Sequence, residues 1–187
     1  MIRNENRVKL LIAYASKTGT AAECAEMLKN MLHGLEITVV DLAKEQPDPL
    51  TFDLAVIGSS IRFGKLRHEA ATYLQEQGER IRQIPHAFFL CCASGHSFED
   101  DCDRLLPAPL REDAFAVLNF GGRLRLPRAG WVERFLLYEM RSQIRQSELE
   151  SGEYTPTLPD ILPENIGRMA TLTRNAVQKI VAVKTNE

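Results

Sequence analysis

Apolar positions along this chain fall into two rhythms that alternate from the first ordered run to the last. Residues 7–16, RVKLLIAYAS, are apolar on both faces through the middle and end in a turn, which predicts a central parallel strand. From Thr20 to His33 the residues Ala21, Cys24, Ala25, Leu28, Met31 and Leu32 recur at three- and four-residue spacing, and Gly34 stops them, which predicts a helix. EITVVDLA (36–43) predicts the second strand, PDPLTF a loop, and DLAVIGSS (53–60) a third strand built like the first. Leu66, Ala70, Tyr73, Leu74 and Ile81 mark a helix over 66–83, ended by Pro85.

HAFFLCCAS (86–94) predicts the fourth strand, FEDDCDRLLPAPLRED a short helix plus loop, and AFAVLNFGG (114–122) the fifth strand. A proline-rich connector over GEYTPTLPDILP leads to a closing helix from Glu164 to Lys184, through Ile166, Met169, Leu172, Ala176, Ile180 and Val181. Strands alternating with helices require a parallel sheet covered on both faces by right-handed crossovers. The expectation is one α/β domain over 1–187, a three-layer sandwich with a five-stranded parallel sheet in the order 2-1-3-4-5. Ligands then sit beyond the carboxyl ends of the strands, where the small turns after strands one, three and four all land.

Composition narrows the function. With 187 residues, 44% hydrophobic and 26% charged, the chain can bury a sizeable core. A formal charge of −2 gives no global basic field of the kind nucleic-acid binders use, so no nucleic-acid partner is expected. The apolar run at the N-terminus is too short for a signal sequence or a spanning helix, which predicts a cytoplasmic protein. Cys24, Cys91, Cys92 and Cys102 lack the CxxC spacing of a zinc or redox pair, so no metal is expected; Cys91 and Cys92 read as small buried residues on opposite strand faces, with a redox role the alternative.

The turn Ser16-Lys17-Thr18-Gly19-Thr20 joins a strand's carboxyl end to a helix start, where unpaired N–H groups and the positive end of the helix dipole meet hydroxyl donors. Such a turn suits a phosphate, and equally a merely capped helix: Gly19 permits close approach or positive φ, while Thr18 or Thr20 can cap. It is neither a Walker A loop nor a GxGxxG fingerprint.

This loop resembles the phosphate signature T/S-x-T-G-x-T of the flavodoxin family, matched at Ser16, Thr18 and Gly19 and departing at Ala21, where the last threonine is expected. VIGSSIRFGKLR (56–67) is similar to the VIGASIRYG stretch of the flavodoxin-like subfamily that includes quinone-dependent protoporphyrinogen dehydrogenase, and FGGRLRLPRAGWVERFLLYEM (120–140) to that subfamily's arginine- and aromatic-rich segment. In order, the similarity spans roughly residues 8–140 and fades past 147. The resemblance implies FMN, its phosphate at Ser16, Lys17, Thr18, Gly19 and Thr20 and its ring between the loops 59–64 and 92–96. Ser59, Ser60, Ile61, Arg62, Phe63, Gly64, Cys92, Ala93, Ser94 and Gly95 then become cofactor contacts, and Arg62 and His96 the candidates for a chemical role. An Arg62 guanidinium at the ring's N1/C2 edge would stabilise the anionic reduced flavin and raise its potential, the alternative being a surface arginine paired to a carboxylate. His68 is a weaker candidate, and Tyr14 reads as core.

Between Gly122 and Gln146 six arginines stand against two glutamates, interleaved with Trp131, Phe135, Leu136, Tyr138 and Met140. That pattern fits a basic amphipathic helix on the inner face of an anionic membrane, a partner or homodimer surface, or a helix packed on the domain with its arginines in water. Three functions follow: an FMN-dependent oxidoreductase acting on protoporphyrinogen IX or another reduced donor with a quinone-type acceptor, a flavodoxin-type electron carrier, or a flavin-free binding module. Basic residues where carriers are usually acidic favour the enzyme, and Ala21 is the main support for the flavin-free reading.

Overall fold

A computed structural model describes residues 7–92, 98–122 and 160–185. Its strands are β1 (Lys9–Ala15), β2 (Glu36–Asp41), β3 (Leu54–Ser60), β4 (His86–Cys91) and β5 (Ala116–Asn119), all parallel, in the order β2-β1-β3-β4-β5. The helices are α1 (Thr20–Met31), α2 (His68–Ile81), α3 (Phe98–Leu105), α4 (Ala108–Asp113) and α5 (Pro163–Thr185). The predicted strand order is the observed one.

Side-chain alternation sorts the core into two layers. Leu10 and Ile12 of β1, Leu54 and Val56 of β3 and Phe89 of β4 pack with Cys24, Ala25 and Leu28 of α1 and with Ile166, Met169 and Ala170 of α5. Leu11 and Ala13, Ala55 and Ile57, and Phe88 and Leu90 face the other way, onto Tyr73 and Leu74 of α2, Cys102 of α3 and Leu110 of α4. Leu10, Leu11, Ile12, Leu28, Leu54 and Phe89 are fully buried. Each such side chain contributes about 1.5–3 kcal/mol relative to an exposed one.

One close approach decides a residue type. A Cβ on Gly58, in the middle of the sheet, would meet Phe89 Cζ at 1.9 Å, and Phe89 is held by stacking on Phe120 with centroids 4.5 Å apart. Only glycine fits there.

Three elements differ from the pattern-based expectation. The acidic stretch over 98–113 makes two helices, because Pro107 takes the position before Ala108 and starts a new one. In the predicted loop, Pro49–Thr51 forms a 3-10 turn capped by Asp48, whose carboxylate accepts from Leu50 N at 3.0 Å. The fifth strand ends at Asn119 because Gly121, at φ +76°, turns the chain to pair with Ile161. There Leu162 N donates to Phe120 O at 2.9 Å and Gly122 N to Asp160 O at 3.1 Å, so the end of the connector closes the sheet edge.

At the amino ends of the strands, Asp53 ties three segments. Its carboxylate accepts from Lys9 N at 2.8 Å and from Lys184 Nζ, near the end of α5, at 2.6 Å. Burial pushes the Asp53 carboxyl up, but the bonds from Lys184 and Lys9 outweigh it and leave the group below its ordinary value. A carboxyl lowered by folding stabilises the protein above its unfolded pKa and loses that contribution as the pH falls through the folded one. Asp53→Asn is therefore expected to cost about 1 kcal/mol near neutral pH. That gap should close below about pH 4. Urea unfolding across this pH range checks it, and a gap independent of pH would remove Asp53 from the account.

Candidate functional site

The carboxyl ends of β1, β3 and β4 lie side by side, with Ala15 paired to Ser59 and Ser60 to Cys91, so the loops that follow them share one edge. At the first loop Gly19 is the residue before α1 and adopts a left-handed conformation, φ +89°. Only glycine takes this shape at no steric cost. Its N–H donates to Ser16 Oγ at 3.1 Å, and the first bond of the helix runs from Glu23 N to Gly19 O at 2.9 Å. The N–H groups of Thr20, Ala21 and Ala22 precede that bond and point out of the helix start, where the dipole is positive.

With glycine at the cap position, no side chain of that residue closes the helix. The Thr20 hydroxyl makes no capping bond either: it is buried, the residue being 3% exposed, and has no hydrogen-bond partner among the described residues. A buried hydroxyl without a bond costs free energy, and at a helix start a ligand oxygen could satisfy it. Ala21 is fully buried in the layer under α1 and α5. The hydroxyl that the signature would place at 21 is missing, and a different one stands unpaired next to it.

The second loop is a hairpin. Arg62 N donates to Lys65 O at 2.9 Å and Lys65 N to Arg62 O at 3.1 Å, closing a two-residue turn in which Phe63 (φ +49°) and Gly64 (φ +66°) are both left-handed. For a phenylalanine this conformation costs about 1–2 kcal/mol. Phe63 is 45% exposed, and the Arg62 guanidinium carbon lies 5.5 Å from its ring centroid, a cation–π distance. Ile61 N continues the pairing with β4 by donating to Cys91 O at 3.0 Å. The Ser59 hydroxyl is used inside the protein, accepting from Arg67 N at 3.1 Å and donating to Ser60 O at 3.2 Å. It pins the far end of the hairpin, while Ser60 stands half-buried at the strand end.

Of the third loop, Cys92 is described and Ala93, Ser94, Gly95 and His96 lie outside the described residues. Cys92 N donates to Asn119 Oδ1 at 3.3 Å, which also accepts from Gly121 N at 2.8 Å, so Asn119 joins the exits of β4 and β5. The four cysteines are reduced and buried. Cys91 lies 3.8 Å from Cys24, and that contact, with burial, pushes its thiol well up; burial and Glu99 push Cys102 up to about 12. Neither supplies a thiolate at neutral pH. Lys17 is exposed on the first loop, His68 is exposed at the start of α2, and Tyr14 is half-buried against the core. The segment 123–147 lies outside the described residues.

Pattern reading missed Asp101 and Arg104 of α3. Asp101 is buried and ion-paired with Arg104, whose Nη1 donates to Gly64 O at 2.6 Å. Their (i, i+3) spacing was the available signal.

A helix start offering N–H groups, a buried hydroxyl and an aromatic turn after the neighbouring strand lie together at one edge of a doubly wound sheet, an arrangement that could take an anion and a flat ring. Residues 11–149 match the flavodoxin-domain family model, and the chain belongs to that family. It is 27% identical over 141 residues to protoporphyrinogen IX dehydrogenase (quinone) of Escherichia coli (strain K12), covering 70% of this chain and 77% of that one. Solved structures similar to it include flavodoxin 1 of Bacillus cereus, 14% identical at a TM-score of 0.43 over 74% of this chain and 97% of that one. A short-chain flavodoxin associated with a non-canonical PDU bacterial microcompartment is 18% identical at a TM-score of 0.46, over 59% and 78%.

Thr20→Val keeps the shape of the side chain and removes the unpaired hydroxyl. In the ligand-free protein it is expected to raise stability by about 1 kcal/mol. Urea unfolding reads this directly, and a loss of stability would mean that the hydroxyl has a partner.

Proposed function

We propose that the protein binds FMN at this edge and works as an oxidoreductase, taking electrons from a reduced donor and passing them to a quinone-type acceptor. Protoporphyrinogen IX is the first donor to assay. The observation that carries the reading is the buried, unpartnered Thr20 hydroxyl beside left-handed Gly19 at the start of α1. The kinship with the Escherichia coli dehydrogenase supports the choice of chemistry.

The donor set suits a phosphate monoester. The hydroxyls of Ser16, Thr18 and Thr20 and the N–H groups at the start of α1 would hold it, with the helix dipole opposing its charge. When bound, FMN supplies the capacity to accept and release electrons one or two at a time. Phe63 offers a flat apolar wall that keeps water from the ring, and Ser60 and the hairpin backbone supply polar contacts to its edge. Arg62, if its guanidinium reaches the ring's edge, would supply a fixed positive charge where negative charge accumulates on reduction. Ala93, Ser94 and Gly95 would form the opposite side, and His96 would serve as a proton donor there.

Glu99 and Asp100, both exposed in the first turn of α3, favour a second reading: an electron carrier meeting a basic partner at the same edge. Turnover of protoporphyrinogen with quinone by the protein alone distinguishes the enzyme from the carrier.

Adding FMN to the purified protein and desalting it should leave a visible flavin band in stoichiometric amount. A colourless product would favour the flavin-free module. In the flavin-loaded protein, Arg62→Ala is expected to lower the midpoint potential by about 30 mV, equivalent to about 1.4 kcal/mol for a two-electron couple. An unchanged potential would remove Arg62 from the chemistry.

Among the described residues no helix is long and apolar enough to cross a membrane. Peripheral contact through the arginines of 123–147 is the corresponding proposal, and it places the acceptor within reach of a membrane-dissolved quinone. Sedimentation with anionic vesicles should occur at low salt and be lost when these arginines become glutamates; a chain that never sediments overturns it.

A further inference from the structure

The two loops of described backbone nearest the ring site, 62–65 and the exit of β4, are joined by side chains from α3. Asp101 is buried, its side chain only 12% exposed, and ion-paired with Arg104. Its Oδ2 lies 3.8 Å from Cys92 Sγ, so the same carboxylate also receives the thiol at the end of β4. Arg104 divides its guanidinium: Nη2 faces Asp101, and Nη1 donates to the Gly64 carbonyl at 2.6 Å.

A trans peptide plane fixes what that last bond does. The Gly64 carbonyl and the Lys65 N–H belong to one rigid unit and point in opposite directions. Holding the carbonyl toward α3 therefore aims the Lys65 N–H at Arg62 O, which it meets at 3.1 Å. That bond closes the hairpin and keeps Phe63 in its left-handed conformation, which nothing intrinsic to a phenylalanine favours. Space is matched too: a Cβ at Gly64 would lie 3.4 Å from Arg104 Nη2.

We infer that Arg104, oriented by Asp101, is a positioning residue for the flavin site. It sets the shape of the Arg62–Lys65 hairpin before any ligand arrives and locks it to the strand exit that begins the third loop. The inference rests on the FMN reading for its functional consequence, while its structural content concerns this chain alone. A guanidinium is required because its planar fork reaches a carboxylate and a carbonyl at once; an ammonium is a point charge and serves one of them.

Arg104→Lys separates the two tasks. It keeps a cation beside Asp101, so the thermal midpoint should stay near that of the wild type. The Gly64 carbonyl is released, so amide hydrogen exchange at Arg62 and Lys65 should accelerate about tenfold in the flavin-free protein. Affinities for FMN and for riboflavin, which lacks the phosphate, should both fall about tenfold with their ratio unchanged, because the phosphate loop is untouched. Asp101→Asn, which frees the guanidinium to drift, should act in the same direction.

Wild-type exchange rates at Arg62 and Lys65 in both variants overturn the inference, as do unchanged affinities when the wild-type protein binds both flavins. A change in the FMN-to-riboflavin ratio also overturns it, because that would mark general loosening of the edge. A wild-type chain that retains neither flavin overturns the FMN reading first and the positioning role with it, whatever the exchange rates.

Discussion

A strand that is buried on both faces and paired on both edges has nowhere to place a polar group except at its ends, and β1 meets that condition. Leu10, Leu11, Ile12 and Ala13 are fully buried, and the strand pairs with β2 on one side and β3 on the other. Its backbone donors and acceptors are consumed by the ladders, and its side chains by two separate layers of helices. Its groups free to meet a solute are thereby confined to its two ends: the amino end is tied to Asp53, and the carboxyl end finishes beside those of β3 and β4.

The edge is built from uncommon backbone shapes. Gly19, Phe63, Gly64 and Gly121 are all left-handed, and all four belong to the turns that follow strands one, three and five at this end of the sheet. Glycine takes the conformation readily, but Phe63 does not, and the hairpin bonds between Arg62 and Lys65 with the Arg104 contact to Gly64 oppose its cost. Rigidity here is supplied by hydrogen bonds that reach in from α3, and not by apolar packing: Phe63 is half out in water.

Much of this was legible in the sequence. The five strands follow from short apolar runs that end in small residues, and the order follows from the chirality of crossovers. The first loop was readable because its physics is local: Ser16, Thr18 and Gly19 lie within four residues of each other and of the helix they start. What escaped was non-local. Nothing in the pattern around Ile161 shows that it returns to pair with Gly121, since one bridge leaves no periodicity. The Arg104 contact with Gly64 spans 40 residues, and the spacing to Asp101 alone reads as an ordinary surface pair. Only burial of Asp101 reveals a different purpose.

The closing helix α5 runs from 163 to 185, beyond residue 149 where the match to the flavodoxin-domain family ends. Yet Ile166, Met169 and Ala170 are sealed in the same layer as Ile12 and Leu28, and Lys184 is bound to Asp53. A fragment cut at the family boundary would keep α1 on that face of the sheet but strip away the part of the layer that α5 supplies, leaving Leu10, Ile12 and Phe89 without their partners there. The homologous segment and the physically autonomous unit are thus different lengths of chain, and any truncation, fusion or domain graft has to follow the second.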